Sequence, residues 1–194
     1  MKKKLFVGLA TGLLTLGIVG TSNATIIDFE GMSYSNQNTI TIGDVTFADS
    51  SGSGLNVRDW GHQSDGVGLA VYGDDSSRLE LSFDNYYNYL SFDFGNDNPG
   101  FGDPDGQMHL DLYNDGSLVS SFSLTANWDD IMNQSLSGTG TFNYAEIYYD
   151  TNLIEVIDNI EYLNTAPVPE PATMLLFATG IAGLVGNRIR RKKK

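Results

Sequence analysis

Hydrophobic and polar residues alternate through most of the middle of this chain. The period of two is clear in Thr25–Phe29, Thr39–Ile42, Val45–Phe47, Leu69–Tyr72, Leu79–Phe83 and Leu90–Phe94. It returns in Met108–Tyr113, Leu118–Leu124, Thr141–Tyr149 and Ile154–Leu163. Such alternation places apolar side chains on one face of an extended strand and polar ones on the other. Turn-forming groups separate the runs: Gly43-Asp44, Gly73-Asp74-Asp75, Asn96 to Gly100, Asn114-Asp115-Gly116 and Ser137 to Gly140. About ten short strands at this spacing, with little helical periodicity, predict an all-β domain built as an antiparallel sandwich or barrel. Asn114-Asp115-Gly116 is the sharpest hairpin signal, because Asp-Gly supplies the positive φ that a tight turn needs.

Two segments break the pattern. Met1 to Lys4 is basic, Leu5 to Val19 is apolar, and Ser22-Asn23-Ala24 is a small-x-small sequence. Residues 1–24 therefore read as a secretory signal peptide cut after Ala24, implying the Sec translocon and signal peptidase as partners. At the other end, residues 165–171 form a linker and residues 172–187 an uncharged apolar run. Residues 188–194 close the chain with Arg188, Arg190, Arg191, Lys192, Lys193 and Lys194. As a helix, the apolar run reaches roughly 22–24 Å, short of a hydrocarbon core of about 30 Å, so it spans a bilayer only with local thinning. That suits a temporary stop. The basic residues adjoin both apolar segments, which predicts a precursor with both ends in the cytoplasm and the middle outside.

Charge sharpens the picture of that middle. The chain holds 24 acidic and 11 basic residues, a net −13. Residues 25–164, the expected sandwich domain, hold 23 of the acids but only Arg58 and Arg78 among the bases, a balance of −21. A surface so acidic has no means of gripping phosphates, so nucleic acid is excluded as a partner. There is no cysteine, which excludes disulfide staples, thiol catalysis and thiolate metal sites.

Pro169-Glu170-Pro171 is a rigid, non-helical tripeptide just before the apolar run, since each proline fixes its own φ and Pro171 restricts Glu170. A Pro-Glu-Pro, one span and a basic tail resemble the PEP-CTERM protein-sorting signal of certain Gram-negative bacteria. The resemblance implies that an exosortase acts at or near Pro169, Glu170 and Pro171. It implies export through the inner membrane, transient anchoring there, and delivery to the cell surface or extracellular matrix, often beside exopolysaccharide.

The expected domain begins with Asp28-Phe29-Glu30-Gly31 and ends with Ile157-Asp158-Asn159-Ile160-Glu161-Tyr162. These ends resemble the first and last strands of galactose-binding-like jelly rolls, which include many carbohydrate-binding modules. The resemblance implies a jelly-roll-like sandwich with a structural Ca²⁺, and carries over Glu30 and Asp158 as ligands, with Asp28 weaker. All-oxygen donor sets suit that ion. The loop from Asn96 to Gly106 offers Asp97, Asp103 and Asp105 as a second acidic candidate, although no glutamate closes it at EF-hand spacing.

Glycan binding would use exposed flat aromatics beside acids and amides. Trp60, Trp128 and Tyr87, the last within Tyr86-Tyr87-Asn88-Tyr89, lie in loop-like contexts and are the candidates. Catalysis has little support. Neither a Gly-x-Ser-x-Gly elbow nor a His-Glu-x-x-His helix is present, and His109 sits in a strand pattern. The expectation is a non-catalytic surface or matrix protein that contacts exopolysaccharide. A secreted glycan hydrolase using a carboxylate pair and a purely structural coat protein are the alternatives.

Overall fold

The alternating runs form eleven strands among the described residues, joined in one antiparallel sheet system. The computed structural model describes residues 24–71, 77–95, 106–127, 129, 131–150 and 156–164. The strands are β1 (Thr25–Ile27), β2 (Ser35–Gln37), β3 (Thr39–Ile42), β4 (Val45–Asp49), β5 (Leu55–Asp59) and β6 (Val67–Val71). They continue with β7 (Leu79–Gly95), β8 (Gln107–Asn114), β9 (Ser117–Thr125), β10 (Gln134–Tyr149) and β11 (Val156–Leu163). Ala24 is exposed, immediately before β1. The Pro-Glu-Pro motif, the apolar run, the basic tail, Trp128, Asp97, Asp103 and Asp105 lie outside the described residues.

β7 and β10 are long, and each serves two layers. The first half of β7 pairs with β4 and with the second half of β10; its second half pairs with β11 and with the first half of β10. One layer therefore runs β2-β5-β6-β11-β7-β10, with β1 added on β11, and the other runs β3-β4-β7-β10-β8-β9. The β7–β10 register shifts between Thr139 and Phe142 and again between Phe142 and Tyr144. Bulges of this kind bend a strand so that it can turn from one layer to the other.

Core side chains fill the space between the layers. Phe29 meets Phe47 edge-on with ring centroids 5.8 Å apart, Phe83 meets Tyr162 at 5.4 Å, and Phe94 meets Tyr149 at 6.3 Å. Gly138 of β10 is needed here, since an added Cβ would lie 2.7 Å from the Phe122 ring.

The antiparallel all-β expectation holds, and so does the β8–β9 hairpin, with Asp115 and Gly116 at φ 48° and 79°. Three details differ from the sequence reading. Leu79–Phe83 and Leu90–Phe94 are one continuous strand, so Tyr86 to Tyr89 are strand residues and not a loop. Ser137 to Gly140 lie inside β10, because glycine there permits close layer packing and a bend as well as a turn. The short strand β2, Ser35-Asn36-Gln37, has no apolar residue to alternate, and β5 alternates over only two apolar positions, Leu55 and Val57, so neither stands out in the sequence.

Candidate functional site

Positive-φ residues set up the first site. Phe29, at φ 55°, turns the chain after β1, so that its ring enters the core while Glu30 faces the loop before β6. There Glu30 Oε1 accepts the Val67 N–H at 2.8 Å. Asn159, at φ 48°, sits at a bulge where the β11–β7 register shifts. Asp158 is thereby fully buried while Asn159 turns outward, its Nδ2 donating to Asp93 Oδ2 at 3.1 Å.

Among the described residues the Asp158 carboxylate has two donors, both backbone N–H groups. Asn159 N–H donates to Oδ1 at 2.8 Å and Asp65 N–H to Oδ2 at 3.2 Å. Burial pushes its pKa up to about 7; the two N–H groups oppose that, and the nearby charges of Glu30 and Asp65 add to it. A buried carboxylate with acidic neighbours and, among the described residues, no basic partner is costly. Gly66, at φ 84°, is packed so tightly on Glu30 that an added Cβ would overlap its carboxylate.

The oxygen donors of Glu30 and Asp158 fit a hard cation such as Ca²⁺ in kind. Among the described residues no three acidic or histidine side chains converge on a metal position, so backbone carbonyls or water would complete any shell. Asp28 is exposed, and its Oδ1 accepts the Glu30 N–H at 3.3 Å, so it shapes the turn beside Glu30.

The loop between β5 and β6 closes over this end of the sandwich. It contains one 3-10 turn, Gly61–Gln63. Trp60 N–H donates to Ser64 Oγ at 3.0 Å, and that hydroxyl donates to the Gly66 carbonyl at 2.7 Å. The Arg58 guanidinium lies 3.8 Å from the centroid of the Trp60 ring, and the buried Trp60 Nε1 has no hydrogen-bond partner among the described residues. Trp60 is thus covered on one face by a cation.

Tyr87 belongs to a second cluster. Its ring packs on Phe83 at 5.5 Å and edge-on against Tyr162 at 4.8 Å. The Tyr87 hydroxyl donates to Asp44 Oδ2, and the Tyr162 hydroxyl donates to Oδ1 at 2.6 Å. Desolvation alone would raise the Asp44 pKa, but the Tyr162 and Tyr87 hydroxyls outweigh it and hold the carboxyl below its usual range. Burial, followed by the bond to Asp44, pushes Tyr87 up to about 12. His109 stacks on Tyr148, 4.9 Å between centroids, and lies 3.8 Å from Asp150. Arg78, ion-paired with Glu146, covers the same Tyr148 ring at 4.1 Å.

A groove that the sequence reading missed lies on the solvent face of the β1-β11-β7-β10 layer. It is a shallow, open depression of about 450 Å³ lined by Tyr89, Ser91, Asp93, Ser135, Ser137, Asn159, Glu161 and Ile26. Alternation of Tyr89, Ser91 and Asp93 with the buried Leu90, Phe92 and Phe94 was visible in the sequence. The signal that these positions share a concave face was not.

Comparison with known proteins assigns residues 167–192 to the PEP-CTERM protein-sorting motif. No curated protein matches the chain. Among solved structures, it is similar to a DUF4465 family protein from Bacteroides caccae, at TM-score 0.47 and 12% identity, over 74% of this chain and 100% of that one. It is also similar to the CBM36-1 domain of a multidomain xylanase from the hindgut metagenome of Trinervitermes trinervoides, at TM-score 0.36 and 15% identity, over 75% and 100%. A third similar structure is CBM35 from Paenibacillus barcinonensis, at TM-score 0.39 and 11% identity, over 74% and 99%.

Proposed function

We propose that this chain is exported, sorted by an exosortase through its C-terminal segment, and displayed at the cell surface or in the extracellular matrix of a Gram-negative bacterium. There its acidic sandwich binds exopolysaccharide without catalysing a reaction. The sorting motif over residues 167–192 carries this reading. The residue order supports it too: a signal-peptide-like segment, the sandwich, Pro169-Glu170-Pro171, an apolar stop and a basic end. A cation held by Glu30 and Asp158 would offset the buried charge and pin the loop before β6 to β11. That role is structural.

Mass spectrometry of the secreted protein tests the sorting step. The expected product begins at Thr25 and lacks Arg188 to Lys194, with calcium present in the same sample. Secreted material that retains the basic end argues against exosortase processing. Release of reducing ends from a bound glycan would replace the binding role with a hydrolytic one.

A further inference from the structure

We infer that the groove on the β1-β11-β7-β10 face is the carbohydrate site, and that its ligand is an uncharged, hydroxyl-rich polysaccharide lying across the strands. The inference rests on the glycan-binding reading above and adds the place and the ligand chemistry.

Register supplies the first argument. Ile26 stands opposite Glu161, Glu161 opposite Ser91, and Ser91 opposite Ser137. These four side chains form one continuous row across four strands, about 14 Å long at the usual strand spacing. Tyr89 flanks the row on one side. On the other, Asp93 stands opposite Ser135 and is held by the Ser135 hydroxyl and the Asn159 amide. The row thus runs from the exposed Ile26 through the Glu161 carboxylate to two serine hydroxyls, with an aromatic ring at one border. Sugar hydroxyls exchange hydrogen bonds with such groups, and the apolar face of a pyranose packs on a tyrosine ring.

Availability is the second argument. On the opposite solvent face of the sandwich, Tyr148 lies between Arg78 and His109, and Tyr113 packs edge-on against Tyr144 at 5.6 Å. Tyr113, Tyr144 and Arg78 all bond to Glu146. That face is satisfied internally. In the groove, Tyr89, Ser91, Ser137 and Glu161 make no side-chain hydrogen bond to another described residue, and the Tyr89 ring pairs with no other described ring.

Charge selects the ligand. Glu161 and Asp93 present carboxylates, and the domain's two basic residues, Arg58 and Arg78, do not line the groove. A uronate or sulfated chain would meet like charge without a counter-ion. A basic peptide would gain from the two carboxylates, but Asp93 is already engaged and only one of the row's four side chains, Glu161, is charged, which favours a neutral polyol.

The test is affinity electrophoresis of the full chain in detergent through gels containing mannan, galactan, β-glucan, alginate or polygalacturonate, with poly-lysine as a soluble competitor. Variants are Tyr89→Ala, Glu161→Ala and Glu161→Lys, with the exposed Tyr34→Ala as a control and thermal melting to confirm folding. The expected result is retention by at least one neutral gel, weakened about tenfold by Tyr89→Ala and less by Glu161→Ala. Tyr34→Ala should bind as the unaltered protein does, and Glu161→Lys should gain retention on an acidic gel. Retention by neutral gels that survives Tyr89→Ala and Glu161→Ala in folded protein overturns the groove assignment alone. Retention only by acidic gels, or binding only to poly-lysine, overturns the ligand chemistry. Absence of retention on every gel overturns both this inference and the glycan-binding reading beneath it.

Discussion

Asp158 and Asp44 are both drawn into the sandwich, and their surroundings drive them in opposite directions. Asp44 takes two neutral hydroxyl donors, from Tyr87 and Tyr162, and is held ionised below the usual range. Asp158 is more deeply buried, has two backbone N–H donors, and faces Glu30 and Asp65. The first carboxylate is electrostatically complete within the chain. The second, among the described residues, meets acidic neighbours and no basic partner, so its protonated form is favoured. Burial alone therefore says little about the role of an acid; the charge and donor capacity of what surrounds it decide.

The largest expected effect comes from Asp158 in calcium-free protein. Its unfolded pKa is near 4 and its folded value about 7. Between those values the folded state keeps a proton that the unfolded state has lost, so stability falls as pH rises through the window, by up to about 4 kcal/mol in total. Asp158→Asn should remove that loss. At pH 8 without calcium the variant should be more stable by about 3 kcal/mol, after allowing for one lost backbone hydrogen bond. Saturating calcium should stabilise the unaltered protein and leave the variant unmoved. Urea titrations at several pH values, with calcium and with chelator, measure both. A flat profile for the unaltered protein without calcium would collapse the contrast.

Tyr162→Phe probes the other carboxylate. It removes a charge-assisted donor and should cost about 2 kcal/mol at pH 7. Asp44 has a depressed folded pKa, so its contribution is present above the unfolded value near 4 and disappears as pH falls through the folded value. The deficit of the variant should accordingly shrink in acid. This slope is opposite in sign to that of Asp158, and the same titrations read it.

Gly66→Ala should cost about 1 kcal/mol through positive φ, and the lost Val67–Glu30 hydrogen bond is offset in part by relief of the repulsion between Glu30 and Asp158. Its sharper consequence is local. The new methyl group displaces the Glu30 carboxylate, so the calcium-dependent rise in melting temperature should disappear while the acid limb set by Asp44 is unchanged. Differential scanning calorimetry with and without calcium would check it.

Much of the fold was legible because alternation is a local property. Leu79-Glu80-Leu81-Ser82-Phe83 can bury its apolar side only as a strand, and Asp115-Gly116 makes the turn that its φ values require. The candidate site was legible only in part. Glu30 and Asp158 stood out through a resemblance at the two ends of the domain, and the structure brings them to the same loop. The groove was not visible, because Tyr89, Ser91 and Asp93 look like any solvent-facing strand positions until β10, β11 and β1 are laid beside them. Nor could Tyr87 be recognised as a partner of Asp44, since its neighbours Tyr86 and Tyr89 have the same aromatic character and different surroundings.

By itself the amino-acid order determined most of the strands, the β8–β9 turn, the concentration of acid between two basic ends, and the Pro-Glu-Pro segment with the apolar run after it. Those follow from backbone preference and residue counting over short stretches. Tertiary structure alone decided which of the acids lies inside, which tyrosines serve a carboxylate, and which face stays open. Asp65 reaches Asp158 across 93 positions and Tyr162 reaches Asp44 across 118. A carboxylate's ionisation depends on the donors, charges and water within a few ångströms, and contacts between such distant positions arise only when the two layers close.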